Sequence, residues 1–322
     1  MPELRFNGTT YICKPSETVL NCLGRHGIEI PSSCRTGVCR TCMMQAVEGS
    51  PPASAQKGLK STLRAQGYFM ACVCKPEGDL EIAYAEDGAH RTMGTVVDVS
   101  ALSSTVARLL IATDDSLDYH SGQFVNLVLP DRLSRSYSLA SVSGLDTFLE
   151  FHIAYVPHGR MSGWVHEEAR AGDRLEIHGP LGDCYYLPDQ PEQPLFLLGT
   201  GTGLAPLYGI ARDALEQGHT GPIHLFHGGL SREYLYLVEE LRELDRHHGP
   251  FRYHPCTFEG DAEHDIQLGY IDDVALKEFD TLAGWRIFLC GDPQRVRRMQ
   301  RKTFLAGASL DDIYSDSFVP SV

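Results

Sequence analysis

The rhythm of apolar and polar residues changes twice along the chain, and it predicts three kinds of structure. Near the start, residues 4–6 and 10–13 alternate weakly around Asn7-Gly8, a pair suited to a two-residue hairpin turn. Residues 16–23 follow helical spacing, with Ser16 expected as N-cap and an end near Gly24 to Gly27. Between 94 and 186 the pattern is one of short strands, at 95–99, 106–112, 124–129, 148–154 and 175–178, separated by turn residues. That spacing predicts a small antiparallel barrel or sandwich. After Gln193, apolar runs at 195–198, 223–226 and 287–289 alternate with helical segments that include 207–216 and 234–244. Such alternation predicts an α/β fold on a parallel sheet. No internal repeat or low-complexity segment interrupts the pattern.

Composition adds domain count and boundaries. A chain of 322 residues is too long for one ordinary core and suits two or three domains. With 43% hydrophobic residues it is not a largely disordered chain. Residues 1–88 hold nine Lys/Arg and nine Asp/Glu, so residues 89–322 carry the whole formal charge of -14. The small and polar residues at 85–90 read as a linker. The expected domains are 1–88, 89–192 and 193–322. The acidic balance argues against nucleic acid as a partner, since phosphate binding needs concentrated Lys/Arg. Residues 1–10 show no long apolar core after a basic start, so no secretory signal is visible. The most apolar stretch, 194–211, is broken by Gly, Thr and Pro and does not read as a membrane span. A cytoplasmic location is therefore expected, where cysteines serve more often as ligands or catalysts than in disulfides.

Seven of the ten cysteines lie within the first 74 residues. Cys34, Cys39 and Cys42 stand in C-x4-C-x2-C spacing with Cys72 at a distance, the plant-type arrangement for a 2Fe-2S cluster. Three thiolates this close can surround an iron pair while a distant fourth closes the site. Gly37 gives the loop freedom to turn its amides toward the sulfides. A zinc site is the alternative for such cysteines, and the x4 spacing suits it poorly. The run Pro31, Ser32, Ser33, Cys34 through Cys42, followed by Ala71, Cys72, Val73, Cys74, Lys75 and Pro76, resembles plant-type ferredoxins, specifically those fused to flavin reductases. The resemblance implies an α+β ferredoxin (β-grasp) fold. It also places the fourth ligand four residues before the proline, at Cys72 rather than Cys74. The family usually has glycine after the second cysteine, where this chain has Arg40, a charge beside the cluster that bears on its potential or on docking. Cys13 and Cys22 fall in apolar strand and helix patterns and read as packing residues.

In the middle region, Arg135, Ser136, Tyr137 and Ser138 end an antiparallel run. A guanidinium can neutralise a pyrophosphate bidentately, a tyrosine ring can stack on an isoalloxazine, and a hydroxyl can donate to its N5. Gly159, Arg160, Met161 and Ser162 form a second loop able to present amides and a hydroxyl to phosphate, followed by Gly172-Asp173 and by Gly179, Pro180 and Gly182. The ordered set resembles the ferredoxin–NADP reductase superfamily. It implies an antiparallel β-barrel FAD domain with Arg135 on the flavin pyrophosphate, Tyr137 against the ring, Ser138 near N5 and the 159–162 loop on the pyrophosphate. Two departures stand out. His158 sits where many relatives have a glycine pair, and Ala154 where many have Arg or Lys. FAD rather than FMN is implied, as in relatives with an N-terminal ferredoxin domain.

Residues 195–206 read as a strand, a glycine-rich turn (Gly199, Thr200, Gly201, Thr202, Gly203) and a helix start with Pro206. Glycines there let the backbone approach a pyrophosphate, whose charge the helix N-terminus favours. The third glycine falls one residue early for the strict dinucleotide fingerprint, and G-x-G-x-G-x-x-P is the same superfamily's version. Cys290, Gly291, Asp292 and Pro293 match its C-G-x-P element, which implies Cys290 near the nicotinamide; a buried strand-end cysteine is the plainer alternative. The tail from Ile313 to Pro320 resembles naphthalene-type dioxygenase reductases. There an aromatic residue covers the flavin until nicotinamide displaces it: Phe318 is the candidate, and Tyr314 reads as packing. Leu230 stands where relatives usually carry Arg, and Ser231 and Arg232, which follow, could hold a 2′-phosphate or merely start a helix; NADH is expected over NADPH, with NADPH the alternative. His247 and His248 read as surface or cap residues.

The three resemblances together imply a three-module oxygenase reductase: NADH to FAD, FAD to the 2Fe-2S cluster, and the cluster to an oxygenase or hydroxylase component or an intermediary ferredoxin. The same architecture also serves reductases of deoxysugar dehydratases, and a redox sensor or carrier without turnover is the remaining alternative. A partner docking on the first module meets a near-neutral domain with Arg35 and Arg40 beside its cluster. Its docking is therefore expected to depend less on a basic patch in the partner than docking of an acidic ferredoxin does.

Overall fold

In the computed structural model, which describes residues 1–32, 34–37, 40–85, 90–260 and 265–318, the chain divides into two units, Met1–Ala89 and His90–Val322. Residues 86–89 of the expected linker lie outside the described residues. In the first unit β1 (Glu3–Phe6) and β2 (Thr9–Ile12) form the expected hairpin, and Asn7 and Gly8 turn it at φ 49° and 74°. Helix α1 (Val19–Arg25) begins later than its pattern suggests, and Ser16 is not its cap. Ser16 lies in the left-handed region at φ 63°, whereas Thr18 is extended and its hydroxyl accepts the Asn21 amide. The unit is completed by β3 (Met43–Glu48), α2 (Ser61–Ala65), β4 (Tyr68–Met70) and β5 (Leu80–Tyr84). The sheet order is β2-β1-β5-β3-β4, with β1 and β5 parallel and the other pairs antiparallel. Val19, Leu20 and Leu23 of α1 close over Leu4, Phe6, Met44, Phe69 and Ile82 of the sheet, giving the α+β ferredoxin fold.

The second unit contains two sheets. The first is formed by β6 (Arg91–Ala101), β7 (Val106–Thr113), β8 (Phe124–Val128), β9 (Ser134–Ser138), β10 (Leu149–Ala154) and β11 (Arg174–Leu181). Its order is β10-β7-β6-β11-β8-β9, antiparallel throughout. The sheet curls far enough that the Ala140 amide, just past β9, bonds the Glu150 carbonyl of the opposite edge strand at 2.9 Å. Alternating inward residues such as Leu109, Ile111, Val125, Leu127, Phe151 and Ile153 fill it. A short helix, α3 (Arg160–Gly163), follows β10.

The second sheet is parallel, in the order β15-β14-β13-β12-β16-β17. Its strands are β12 (Leu195–Thr200), β13 (Ile223–Gly229), β14 (Phe251–Thr257), β15 (Gln267–Leu268), β16 (Arg286–Gly291) and β17 (Ile313–Ser317). Helices α4 (Leu204–Glu216), α5 (Val238–His247), α6 (Ile271–Lys277) and α7 (Pro293–Leu305) connect them. Helix α4 starts three residues earlier than expected because Pro206 sits in its first turn, where a missing N–H costs nothing. Helix α5 starts four residues later, after Leu237 turns left-handed at φ 55°; only a single 3-10 turn, Arg232–Tyr234, precedes it. Among the described residues no helix is long and apolar enough to cross a membrane.

Candidate functional site

A cleft of about 710 Å³ opens in the second unit, within the size range of cofactor pockets. One wall is β9, which brings Arg135, Ser136, Tyr137 and Ser138 to the cleft. The loop after β10 adds Gly159, Arg160, Met161 and Ser162. The glycine-rich turn before α4 adds Thr202, the start of α4 adds Ala205, and residues 316–318 add Asp316, Ser317 and Phe318. Alternation along β9 explains the first wall. Its edge position leaves Ser134 and Ser136 exposed, while Ser138 is buried where the strand meets β17.

The Ser138 Oγ donates to Asp316 Oδ2 at 2.5 Å, a link between the two sheets that the sequence reading missed. Asp316 stands two residues before Phe318, and a buried serine in need of an acceptor was the only signal for it. Burial raises the Asp316 carboxyl above the usual range; the Ser138 hydrogen bond opposes the shift and Asp183 adds to it. Burial likewise pushes the Tyr137 phenol up to about 12. Arg135 donates to the Ser134 carbonyl at 2.8 Å, and the Ser136 hydroxyl donates to Asn126 at 2.6 Å.

The loop after β10 differs from expectation in one respect. The Ser162 hydroxyl is held within the loop, accepting from the Val156 amide at 3.1 Å and lying 3.2 Å from the Gly159 carbonyl. It therefore fixes the loop's shape, and what the loop offers an anion is backbone N–H. Gly159 has no alternative, because a Cβ there would lie 2.6 Å from that hydroxyl. His158, which departs from the relatives' glycine, sits at φ 62°, in the region that favours glycine. Arg160 is exposed and pairs with Asp131.

The glycine-rich turn lies between β12 and α4. A Cβ on Gly203 would come within 2.3 Å of the Cys290 carbonyl, and one on Gly199 within 2.7 Å of the Gly203 carbonyl. Gly201 has φ 55° and Gly291 φ 120°. Thr200 faces Gly291 across this contact, its carbonyl 3.1 Å from a Cβ built there. Cys290 is buried at the end of β16, with its Sγ 3.9 Å from that of Cys184, and burial first and Cys184 second raise its thiol pKa. Cys290 touches the turn through its backbone and is not part of the cleft lining. Asp292 caps α7, accepting the amides of Gln294 at 3.0 Å and Arg295 at 2.9 Å, so its carboxylate is a helix cap rather than a ligand-facing group. Phe318 lines the cleft, and its amide bonds the Gly291 carbonyl at 2.9 Å. Tyr314 is in the core, stacked on Phe288 with ring centroids 5.3 Å apart, as its packing role requires.

In the first unit Cys34 is exposed and accepts the Thr36 amide at 3.4 Å, the N–H to sulfur contact expected of a loop that surrounds thiolates. Gly37 has φ 79° and packs against Val73. The Ala71 amide bonds the Cys42 carbonyl at 3.0 Å, which holds Cys72 beside Cys42. Cys74 points into the core, where burial pushes its thiol up to about 12. Cys39 lies outside the described residues. Cys13 and Cys22 are buried core residues, as expected. The thiol-rich loop suits an iron–sulfur cluster, and the cleft, with its guanidinium, phenol ring and hydroxyl, suits a flavin.

Comparison with known proteins follows the same order. The 2Fe-2S iron-sulfur cluster binding domain matches residues 4–77, the oxidoreductase FAD-binding domain 93–186 and the oxidoreductase NAD-binding domain 197–302. Over 308 residues the chain is 34% identical to the ferredoxin–NAD(P)+ reductase component of the naphthalene 1,2-dioxygenase system of Pseudomonas putida, covering 94% of this chain and 93% of that protein. The chain belongs to this family of iron–sulfur flavoprotein reductases. It is also 32% identical over 322 residues to the reductase subunit of an aromatic O-demethylase from Amycolatopsis sp., covering 96% of each. The crystal structure of the Amycolatopsis cytochrome P450 reductase GcoB matches it with a TM-score of 0.70 and 31% identity, over 99% of both chains. The ferredoxin reductase in carbazole 1,9a-dioxygenase matches with a TM-score of 0.66 and 26% identity, over 99% of this chain and 98% of that one. The reductase is thus an oxidoreductase carrying 2Fe-2S, FAD and NAD-binding domains in one chain.

Proposed function

We propose that the reductase takes electrons from NADH and delivers them singly to an oxygenase or hydroxylase component, directly or through a separate ferredoxin; its relatives are named as the reductase component of a dioxygenase system and the reductase subunit of an aromatic O-demethylase. Bound FAD would take up a hydride and give up its electrons one at a time, and a bound 2Fe-2S cluster would relay those single electrons. The reading is carried by one cleft in which the Arg135 to Ser138 strand, the 159–162 loop, the start of α4 and Phe318 converge. The modules are assigned to residues 1–88, 89–192 and 193–322, and the protein to the cytoplasm.

In this assignment Arg135 and the amides of the 159–162 loop hold the FAD pyrophosphate, and Tyr137 packs against the flavin ring. Ser138 would place its hydroxyl oxygen near N5, and Asp316 fixes that hydroxyl by accepting its one hydrogen bond, which leaves the oxygen free to accept. Phe318 covers the ring until nicotinamide takes its place. The turn from Gly199 to Gly203 brings backbone close to the NADH pyrophosphate, while Cys290 and Gly291 shape the nicotinamide pocket through main chain. Cys34, Cys39, Cys42 and Cys72 hold the cluster; the hydrogen bond from Ala71 to Cys42 supports Cys72 over the core residue Cys74.

Coenzyme preference follows from charge. Leu230 offers no cation to a 2′-phosphate, and the Ser231 hydroxyl donates to the Glu233 carboxylate at 3.3 Å. A dianionic phosphate is disfavoured beside that carboxylate, which favours NADH over NADPH. The test is cytochrome c reduction by the cofactor-replete protein. Rapid turnover with NADH and slow turnover with NADPH are expected; no turnover with either overturns the proposal, and a large NADPH preference overturns the coenzyme assignment.

A further inference from the structure

We infer that the cluster-bearing end of the first unit is a cationic docking surface for an electron acceptor that presents acidic side chains around its own redox centre. The inference rests on the reading that electrons leave through the cluster, and it extends that reading to the partner's surface. The near-zero charge of this unit conceals a dipole. Residues 30–76, which contain all four proposed cluster cysteines, carry six Lys/Arg and one acidic residue, Glu48. Residues 77–81 carry three acidic residues, Glu77, Asp79 and Glu81, and no Lys or Arg.

The fold holds Glu48, Asp79 and Glu81 away from the cysteine loop. Strand β3 starts beside Cys42, and its last residue, Glu48, pairs with Glu81 on β5, about 17 Å away at the usual rise per strand residue. Glu81 pairs with Arg5 at 2.8 Å, and Asp79 accepts the Glu3 amide at 2.8 Å, so this acidic group sits where β1 and β5 begin. At the other end Cys34, Arg35 and Arg40 are exposed. The Arg40 guanidinium donates to the Gly58 carbonyl at 2.9 Å, which sets exposed Lys57 beside it. Gln56 bonds the Arg64 carbonyl at 3.3 Å and brings exposed Arg64 alongside. Among the described residues none of Arg35, Arg40, Lys57 and Arg64 pairs with a carboxylate; the ion pairs Arg5–Glu81 and Arg25–Glu17 lie elsewhere. Uncompensated cations around an electron exit attract an anionic surface, accelerate its encounter and repel a basic one.

The experiment follows reoxidation of the dithionite-reduced holoprotein by hexacyanoferrate(III), an anion, and hexaamminecobalt(III), a cation. Salt is raised from about 10 mM to about 150 mM, over which the screening length falls from about 30 Å to about 8 Å. Cluster reoxidation by the anion is expected to slow by about threefold or more while reoxidation by the cation accelerates. Subtracting the flavin's share, measured with Cys72→Ser, isolates the cluster. The double variant Lys57→Glu, Arg64→Glu, outside the cysteine loop, is expected to flatten or reverse both slopes while NADH bleaches its flavin at the wild-type rate. The formal charge of -14 acting as a whole gives the opposite slopes, and that result overturns the inference. So do unchanged slopes in the double variant with its cluster absorbance intact. Failure of NADH to reduce the cluster overturns the exit reading instead, and the dithionite experiment reports on the surface independently of it.

Discussion

At the scale of single residues, the contact between Ser138 and Asp316 is the most informative one in the cleft. Burial holds the Asp316 carboxyl above its usual range, so its ionised form is disfavoured in the folded protein. A carboxyl with a raised folded pKa favours the fold most below its unfolded pKa, and that contribution is lost as pH rises through the folded value. Asp316→Asn is therefore expected to raise the melting temperature at pH 7, and the gain should vanish below about pH 4. The same variant should slow flavin bleaching by NADH and flatten its pH profile. Ser138→Ala should slow bleaching by about ten- to a hundredfold and, by removing the hydrogen bond that favours the ionised carboxylate, push the Asp316 carboxyl further up. A Ser138→Ala protein with the wild-type bleaching rate would remove the serine from the reaction. Ser138 was legible in the sequence because it belongs to a short motif. Asp316 was not, because its partner lies 178 residues away and only the fold joins them.

At the scale of elements, close backbone approaches decide more than propensity does. Gly203 is fixed by the Cys290 carbonyl, a backbone atom that cannot swing aside. Gly203→Ala should destabilise the second unit by about 1–3 kcal/mol and weaken NADH binding, measured by denaturant unfolding and by titration of the bleaching rate. An alanine variant of wild-type stability would mean that β16 and the turn are not in contact. Helix α1 is tied by Glu17, whose carboxyl Arg25 lowers to about 2, with the Lys14 amide helping. A depressed carboxyl stabilises the fold above its unfolded pKa and loses that effect as pH falls through the folded value. Glu17→Gln should accordingly lower the melting temperature at pH 7 and cease to matter near pH 2. Strands with apolar alternation, such as β7, or with a continuous apolar run, such as β12, were legible. Strands β14 and β17 were not, since FRYHPCT and IYSDS carry too many polar residues to show a period. They are strands because a parallel neighbour supplies their hydrogen bonds. The N-cap of α1 was misplaced by two residues because Ser16 and Thr18 are equally good caps in composition and differ only in backbone conformation.

At the scale of the whole molecule, the order of the modules was the most legible feature, since each carries its own motif and the second and third succeed one another in one superfamily pattern. What composition hid was the internal arrangement of charge, because a net of zero over residues 1–88 is silent about where the signs lie. The central claim is that hydride chemistry at the cleft and single-electron export at the cysteine loop are separable functions of one chain. Anaerobic stopped-flow mixing of NADH with the wild-type protein and with Cys72→Ser, followed at flavin and cluster wavelengths, tests it most directly. In the wild type, flavin bleaching should be followed by cluster reduction and support rapid cytochrome c reduction; Cys72→Ser should bleach its flavin at the same rate and reduce cytochrome c negligibly. A Cys72→Ser protein that still reduces cytochrome c at the wild-type rate would contradict the account.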